Sequence, residues 1–360
     1  MPPDGGASVE AGTRLVVGSW PGRSFGWNSF IATFCDALEA AGCEVVDVDD
    51  PRHVARRLDV LHVHWPEEIF WRGGGRVRLC ARTVAMLGAL ARLKRDGTRI
   101  VWMVHNLRPH DLGGVRRPLW AVLGRRMARL ADGFMTLSPA TVAVVRDVVP
   151  GLARMPAASA WHPAYPGARP APDRAACRAR AGLPPDAHIL AFLGLIRPYK
   201  GVEELIAAFR ADPDPGRRLL IAGHSDKAGY GEGLARLAGD DPRIGVRLGR
   251  LDDRAFAGLT AAADAIVLPF RDYLHSGSMI HALSHARPVI TPAAPFADAL
   301  ARQVGEDWVR TYRGALSPAA LARGREWPTG APDLSCLDAA RLGVTARDFY
   351  RELVKGECGR

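Results

Sequence analysis

Short apolar runs alternate with longer amphipathic ones along most of the chain. "RLVVGS" (14–19), "EVVDVD" (44–49), "DVLHVHW" (59–65), "RIVWMVHN" (99–106) and "GFMTLS" (133–138) predict short buried strands. Residues 27–41, 76–95, 115–131 and 139–148 predict the helices between them. A proline-rich stretch, "WHPAYPGARPAPD" (161–173), breaks the pattern and predicts an interdomain linker. The scheme then repeats, with strands predicted at 188–196, 218–224, 244–249, 265–270, 288–291 and 308–312, and helices at 201–210, 230–239, 252–262 and 277–286. A last helix is predicted within 335–354. Two runs of βα units imply two α/β domains, each a doubly wound parallel sheet of Rossmann type. The expected division is 1–160, a linker over 161–173, 174–330, and a terminal helical segment over 331–360.

Length and composition agree with this. A chain of 360 residues exceeds one ordinary domain, and 48% hydrophobic with 24% charged residues suits well-packed globular domains. The six cysteines form no C-x-x-C or zinc spacing, which predicts reduced thiols and a cytoplasmic setting. The N-terminal stretch lacks the charged-then-apolar design of a signal peptide, and no apolar run reaches the roughly 20 residues that span a bilayer. Charge changes the picture more. The net charge is +10, yet Arg72 to Arg129 alone holds fourteen Lys/Arg against Asp96 and Asp111. Arginines interleaved with Leu, Met, Trp and Val predict a basic amphipathic face, suited to an anionic membrane surface, with a simply solvated arginine-rich face as the alternative. No nucleic-acid-binding module accompanies the charge, so no nucleic acid partner is expected.

In open α/β sheets ligands bind beyond the carboxyl ends of the strands, so candidate chemistry is sought there. "GLIRPYKGVE" (194–203) places Arg197 and Lys200 in a loop between a strand and a helix opened by Gly201. "RDYLHSGSMIHAL" (271–283) repeats the arrangement with Ser276 and Gly277 at a helix start. Two cations and two helix N-termini predict a clamp for a diphosphate, with no metal ion required. Gly223, His224 and Arg250 end the neighbouring strands, where a nucleoside would lie. In the first half, "HVHWPEE" (62–68) and "VHNLRPHD" (104–111) offer acids and histidines at strand ends. Asp111 is the first candidate for a general base and Glu67 the second. His105 is placed on the donor sugar, and Asn28 and His110 are candidates for sugar or acceptor contacts.

These pieces carry a resemblance. "DVLHVHWPE" (59–67), "VHNLRPHD" (104–111), "GLIRPYKGVE" (194–203), "SGSMIHALSHARPVITP" (276–292) and "APDLS" (331–335) run in order over most of the chain. The chain resembles the GT-B glycosyltransferases, and more closely the family 94 mannosyltransferases of the xanthan pathway. The resemblance implies an inverting enzyme that uses GDP-mannose and extends a lipid-diphosphate-linked oligosaccharide at the inner membrane face. It also implies a C-terminal helix crossing back to the N-terminal domain. The large retaining GT-B families place glutamates at both ends of an E-x7-E pattern, on donor sugar and ribose. Here those positions are Tyr273 and His281, which are carried as sugar and nucleoside contacts and which favour inversion over retention. A retaining transferase of another donor, such as UDP-glucose, and a non-catalytic sugar- or lipid-binding protein are the alternatives.

Overall fold

The computed structural model describes residues 14–26, 29–71, 73–108, 116–165, 173–322 and 328–356. Strands β1 (Val16–Trp20), β2 (Glu44–Asp47), β3 (Val60–Val63), β4 (Arg99–Met103), β5 (Gly133–Thr136) and β6 (Ala157–Ser159) form one parallel sheet, ordered β2-β1-β3-β4-β5-β6. Helices α1 (Phe30–Ala40), α2 (Arg76–Arg95), α3 (Arg116–Leu130) and α4 (Pro139–Val148) accompany it. The second half begins with α5 (Arg174–Arg180), β7 (His188–Leu193), α6 (Val202–Arg210), β8 (Arg217–Gly223), α7 (Tyr230–Ala238), β9 (Ile244–Leu248) and α8 (Asp253–Ala262). It continues with β10 (Ala265–Val267), α9 (Gly277–Ser284), β11 (Val289–Pro292), α10 (Pro295–Val304), β12 (Val309–Tyr312) and α11 (Pro318–Ala322), and the chain then forms α12 (Ala339–Lys355). Its strands form a second parallel sheet, ordered β12-β11-β10-β7-β8-β9.

The strands of the first sheet are apolar on both faces, as parallel strands covered by helices must be. Leu61, Ile100, Trp102 and Phe134 pack with residues of α2 and α3, while Val60, Val101, Met103 and Met135 pack with α1 and α12. Alternation along each strand therefore sorts one apolar run into two cores. The second sheet, apart from its partly exposed edge strand β9, buries its strands in a single cluster with Leu205, Phe209, Ile280, Leu283 and Phe296 of the flanking helices.

Helix α12 returns to the first sheet. Asp338 caps it by accepting from the Ala340 amide (2.9 Å), and Gly356 ends it at φ 74°. Leu342, Ala346, Phe349, Tyr350 and Leu353 recur at helical spacing and are buried against α1 and the strands. Gly343 permits the contact with α1, since a Cβ there would stand 2.1 Å from the Ala37 carbonyl oxygen. Tyr350 Oη and His62 Nδ1 share a buried hydrogen bond of 2.5 Å, which ties α12 to the middle of β3.

Three helices and one strand escape the sequence pattern. β6 has only three residues, two of them alanine, and α5 and α11 are short. No helix is predicted over α10, where Pro295 sits in the first turn and its missing N–H has no intrahelical partner to lose. Among the described residues no helix is long and apolar enough to cross a membrane.

Candidate active site

Each sheet has a point where consecutive connections run to opposite sides of the starting strand, and such points open a crevice at the strand ends. In the second sheet it lies between β7 and β10, so the loops carrying 194–201 and 268–276 are neighbours. Backbone approach holds them together. Gly201 has φ 66°, and a Cβ on it would stand 2.2 Å from the Pro269 oxygen; the Arg271 amide donates to Tyr199 O at 2.9 Å. Beside them, a Cβ on Gly223 would stand 1.7 Å from Gly194 O, so the ends of β7 and β8 meet through glycine alone.

This packing buries Lys200. The residue is 8% exposed, and its ammonium lies 5.1 Å and 6.0 Å from the ring centroids of Phe270 and Phe192. Among the described residues it has no hydrogen-bond or ion-pair partner. Burial, followed by the nearby charge of Arg197, pushes its pKa down to about 8. Arg197 differs: its guanidinium forks onto Asp226, with Nε and Nη2 at 3.1 and 2.5 Å from the two carboxylate oxygens. The two cations predicted for a clamp are thus one buried ammonium, unpaired among the described residues, and one partly buried guanidinium already holding a carboxylate.

The two helix starts differ as well. The first turn of α6 carries Glu203 and Glu204, both paired with Arg271, so acids already face that N-terminus. The first turn of α9 holds no acid. Ser276, 4% exposed, caps α9 by accepting from the Met279 amide at 3.1 Å. Gly277 is enclosed on its side-chain face, for a Cβ there would stand 2.8 Å from Tyr165 Oη and 3.5 Å from His162 Nε2. The other predicted contacts scatter. Tyr273 Oη donates to Pro292 O at 2.8 Å, and burial raises its pKa to about 12. His281 stacks on His285 (4.5 Å) and meets the edge of Phe256 (4.4 Å); burial lowers its pKa to about 4. His224 and Arg250 are exposed beyond β8 and β9.

In the first sheet the corresponding point lies between β1 and β3. Ser19, His64 and Glu67 are buried at or just beyond these strand ends, and His105 follows β4. Ser19 Oγ donates to Pro21 O (3.1 Å) and stands 3.3 Å from His64 Nε2, while His64 Nδ1 stands 3.2 Å from His105 Nε2. With the hydroxyl proton on Pro21, His64 must donate through Nε2, and its Nδ1 then accepts from His105. Burial, followed by the neighbouring histidines, pushes the pKa of both rings far down, which keeps them neutral as this relay requires. His105 also stacks on Trp65 at 4.1 Å. One of its nitrogens, its faces and its tautomer are therefore set by protein neighbours.

Glu67 sits on the 3-10 turn Pro66–Phe70 and is 4% exposed. Burial raises its pKa to about 7; among the described residues the one side chain bonded to it is Asn106, whose Nδ2 donates to Oε1 at 3.3 Å. A carboxyl group poised near neutrality at a strand end has the pKa a general base needs. The candidates Asn28, His110 and Asp111 lie outside the described residues. Among the described residues no cluster of three or more His, Cys, Asp or Glu side chains is placed to hold a metal ion.

The two crevices face one cleft. His275 Nε2 accepts from the Leu137 amide at 3.1 Å, and Leu274 packs into the first core. His162 lies 5.1 Å from Phe30. The loop that leads into α9 is thereby held against the first sheet. Two residues at this junction, His162 and Tyr165, fall in the stretch that the sequence predicts as an interdomain linker. Nothing in the spacing joins them to Gly277, more than a hundred positions on.

No protein-family model matches the chain. It is 32% identical over 309 residues to the GDP-mannose:glycolipid 4-beta-D-mannosyltransferase of Xanthomonas campestris pv. campestris, across 82% of this chain and 80% of the relative. A shorter match, 33% identical over 126 residues, covers 34% of this chain and 26% of the D-inositol 3-phosphate glycosyltransferase of Mycobacterium tuberculosis. Among solved structures, sucrose-phosphate synthase from Thermosynechococcus elongatus superposes with a TM-score of 0.64 at 16% identity, over 95% of this chain and 94% of that one. Anabaena HepE in complex with UDP-glucose superposes with a TM-score of 0.60 at 13% identity, over 96% and 100%. These structural likenesses carry the fold alone.

Proposed function

The chain belongs to the family of GT-B glycosyltransferases that includes the GDP-mannose:glycolipid 4-beta-D-mannosyltransferase of Xanthomonas campestris, and from that premise we propose that it transfers mannose from GDP-mannose, with inversion, to a lipid-diphosphate-linked oligosaccharide. One observation carries the proposal: Lys200, a buried ammonium with no carboxylate partner among the described residues, packed over Phe270 in the loop that leads on to the acid-free start of α9. An unpaired charge is costly to bury, and an anionic ligand compensates it. The diphosphate of a nucleotide sugar supplies that anion. As the bond from the anomeric carbon to phosphate breaks, the electron pair leaves with GDP, and Lys200 and the α9 amides meet the charge that develops. The acceptor hydroxyl attacks the opposite face of the sugar and gives its proton to a carboxylate of the first half. Glu67 has the environment for this role; Asp111, the first candidate in the sequence, lies outside the described residues. Inversion is supported by Tyr273 and His281 standing where retaining enzymes have acids.

The acceptor's lipid suits the outer face of α2 and α3. Arg76, Arg78, Arg117, Arg125 and Arg126 are exposed there, together with Val77, Val84 and Val122, and Trp71 just ahead of α2. This face would rest on anionic lipid at the cytoplasmic side of the membrane.

The test is turnover of GDP-mannose with a polyprenyl-diphosphate oligosaccharide, followed by NMR of the new linkage. A β-mannoside is expected. An α-mannoside, or transfer from UDP-glucose but not GDP-mannose, would sink the reading.

A further inference from the structure

Residues 162–165, in the segment between the sheets, are tied to both halves. The His162 amide donates to Leu137 O (3.2 Å) on the side of the first sheet. On the other side, the Ala164 amide donates to Leu337 O (2.8 Å) and the Tyr165 amide to Ser284 Oγ (3.1 Å). Two side chains of this segment meet at the start of α9, at 2.8 Å for Tyr165 Oη and 3.5 Å for His162 Nε2 from the position of a Cβ on Gly277.

Their chemistry is defined by what they bond elsewhere. His162 is 6% exposed, and its Nδ1 lies 2.9 Å from Pro163 O, an acceptor, so Nδ1 carries the proton. Burial lowers its pKa to about 4 and keeps the ring neutral. Nε2 therefore presents a lone pair, and it has no partner among the described residues. Tyr165 Oη has none among them either, and burial raises its pKa to about 12, which leaves it a donor. The amides of Gly277 and Ser278 have no intrahelical acceptor. The start of α9 thus combines free N–H groups, a phenolic donor, and an imidazole that accepts. The donors suit an oxyanion. The imidazole lone pair repels an oxyanion and suits a hydroxyl beside it.

We propose that His162 and Tyr165 form a wall of the donor site, with Tyr165 donating to the phosphate at the α9 start and His162 Nε2 accepting from a hydroxyl of the attached sugar. The ligand class is a phosphate ester flanked by a hydroxyl-bearing ring, and the assignment rests on the nucleotide-sugar reading above.

Calorimetric titration with GDP and with GDP-mannose separates the two roles. Tyr165→Phe keeps the ring and should weaken both ligands about tenfold, through loss of one bond to a charged group. His162→Leu should leave GDP affinity at the wild-type value and weaken GDP-mannose about five- to tenfold. His162→Gln, whose amide oxygen can replace Nε2, should recover most of that loss. Thermal melts of each variant confirm folding. Wild-type GDP affinity in Tyr165→Phe overturns the phosphate contact, and equal effects of His162→Leu on the two ligands overturn the sugar contact. If the wild type binds neither GDP nor GDP-mannose but binds another nucleoside diphosphate and its sugar, the mannose reading fails alone, and the same variants judge the wall with that pair. A wild type that binds no such nucleotide removes both.

Discussion

The two crevices arise from the same topology and have opposite electrostatics. At the ends of β1 and β3 the chain buries neutral titratable groups, His62 and His64, with the partly buried His105 beside them after β4 and a carboxyl group on Glu67 raised to about 7. Between β7 and β10 it buries a cation, Lys200, and leaves a helix start without acids. One side is arranged to keep charge off until a proton arrives, the other to receive negative charge. A transfer that releases a proton from one substrate and a diphosphate from the other needs both, on separate walls of one cleft. The wall between them, at His162 and Tyr165, comes from the segment that joins the halves.

The sharpest way to break this contrast is to remove the carboxylate. Glu67→Gln should lower kcat by about 10²- to 10⁴-fold with GDP affinity retained. If Asp111→Asn produces that loss and Glu67→Gln does not, the base is Asp111. The matching change on the cationic side is Lys200→Met, which keeps the apolar stem. Loss of one charge-assisted contact, about 1.5–3 kcal/mol, should weaken GDP roughly ten- to hundredfold in calorimetry. Its melting temperature should hold or rise, because an unpaired buried charge is gone. A destabilised variant with normal GDP affinity would make Lys200 a structural residue.

The first half also carries the basic helical face, which extends the contrast to the surface. At about 1 kcal/mol per basic residue, Arg125→Glu with Arg126→Glu should cost about 2 kcal/mol or more, roughly thirtyfold in sedimentation with anionic vesicles. Wild-type binding should fade with added salt. Binding that ignores both charge reversal and salt would defeat the electrostatic account.

The smallest effect is in the pH profile of kcat/KM. Glu67 must be ionised to act as base, so the rate should rise as pH increases through about 7. Lys200 must be protonated to hold the diphosphate, so the rate should fall as pH increases through about 8. A narrow bell results, changing about tenfold per unit outside it. Stability gives an independent check. A raised carboxyl pKa means the folded state holds more protons than the unfolded one between the ordinary carboxyl range and about 7, so stability falls over that window as pH rises. Glu67→Gln should therefore melt higher than wild type at pH 8 and close to it at pH 4.

Local pattern was enough for the architecture. Helix α2 falls at 76–95 in sequence and structure alike, because a long 3.6-residue period bounded by glycines leaves little freedom. The strands that surround the cleft were legible as apolar runs, and so was the position of Lys200 after one of them. The state of Lys200 was not. Its burial depends on Phe270, brought close by strand order and by Gly201 against Pro269. The engagement of Arg197 was hidden for the same reason, since Asp226 lies in the loop after β8. His105 stood out as a strand-end histidine, while its place in a relay from Ser19 through His64 needed three strands side by side.

By itself the sequence determined the fold class, the strand ends where chemistry gathers, and the absence of acids at positions 273 and 281. These follow from periodicity and residue type, which act over a few neighbouring positions. Only the tertiary structure decided which cation is unpaired, which carboxyl group is pushed towards neutrality, and which linker residues face Gly277. Desolvation and pairing depend on groups brought together across sheets, and no local spacing encodes those distances.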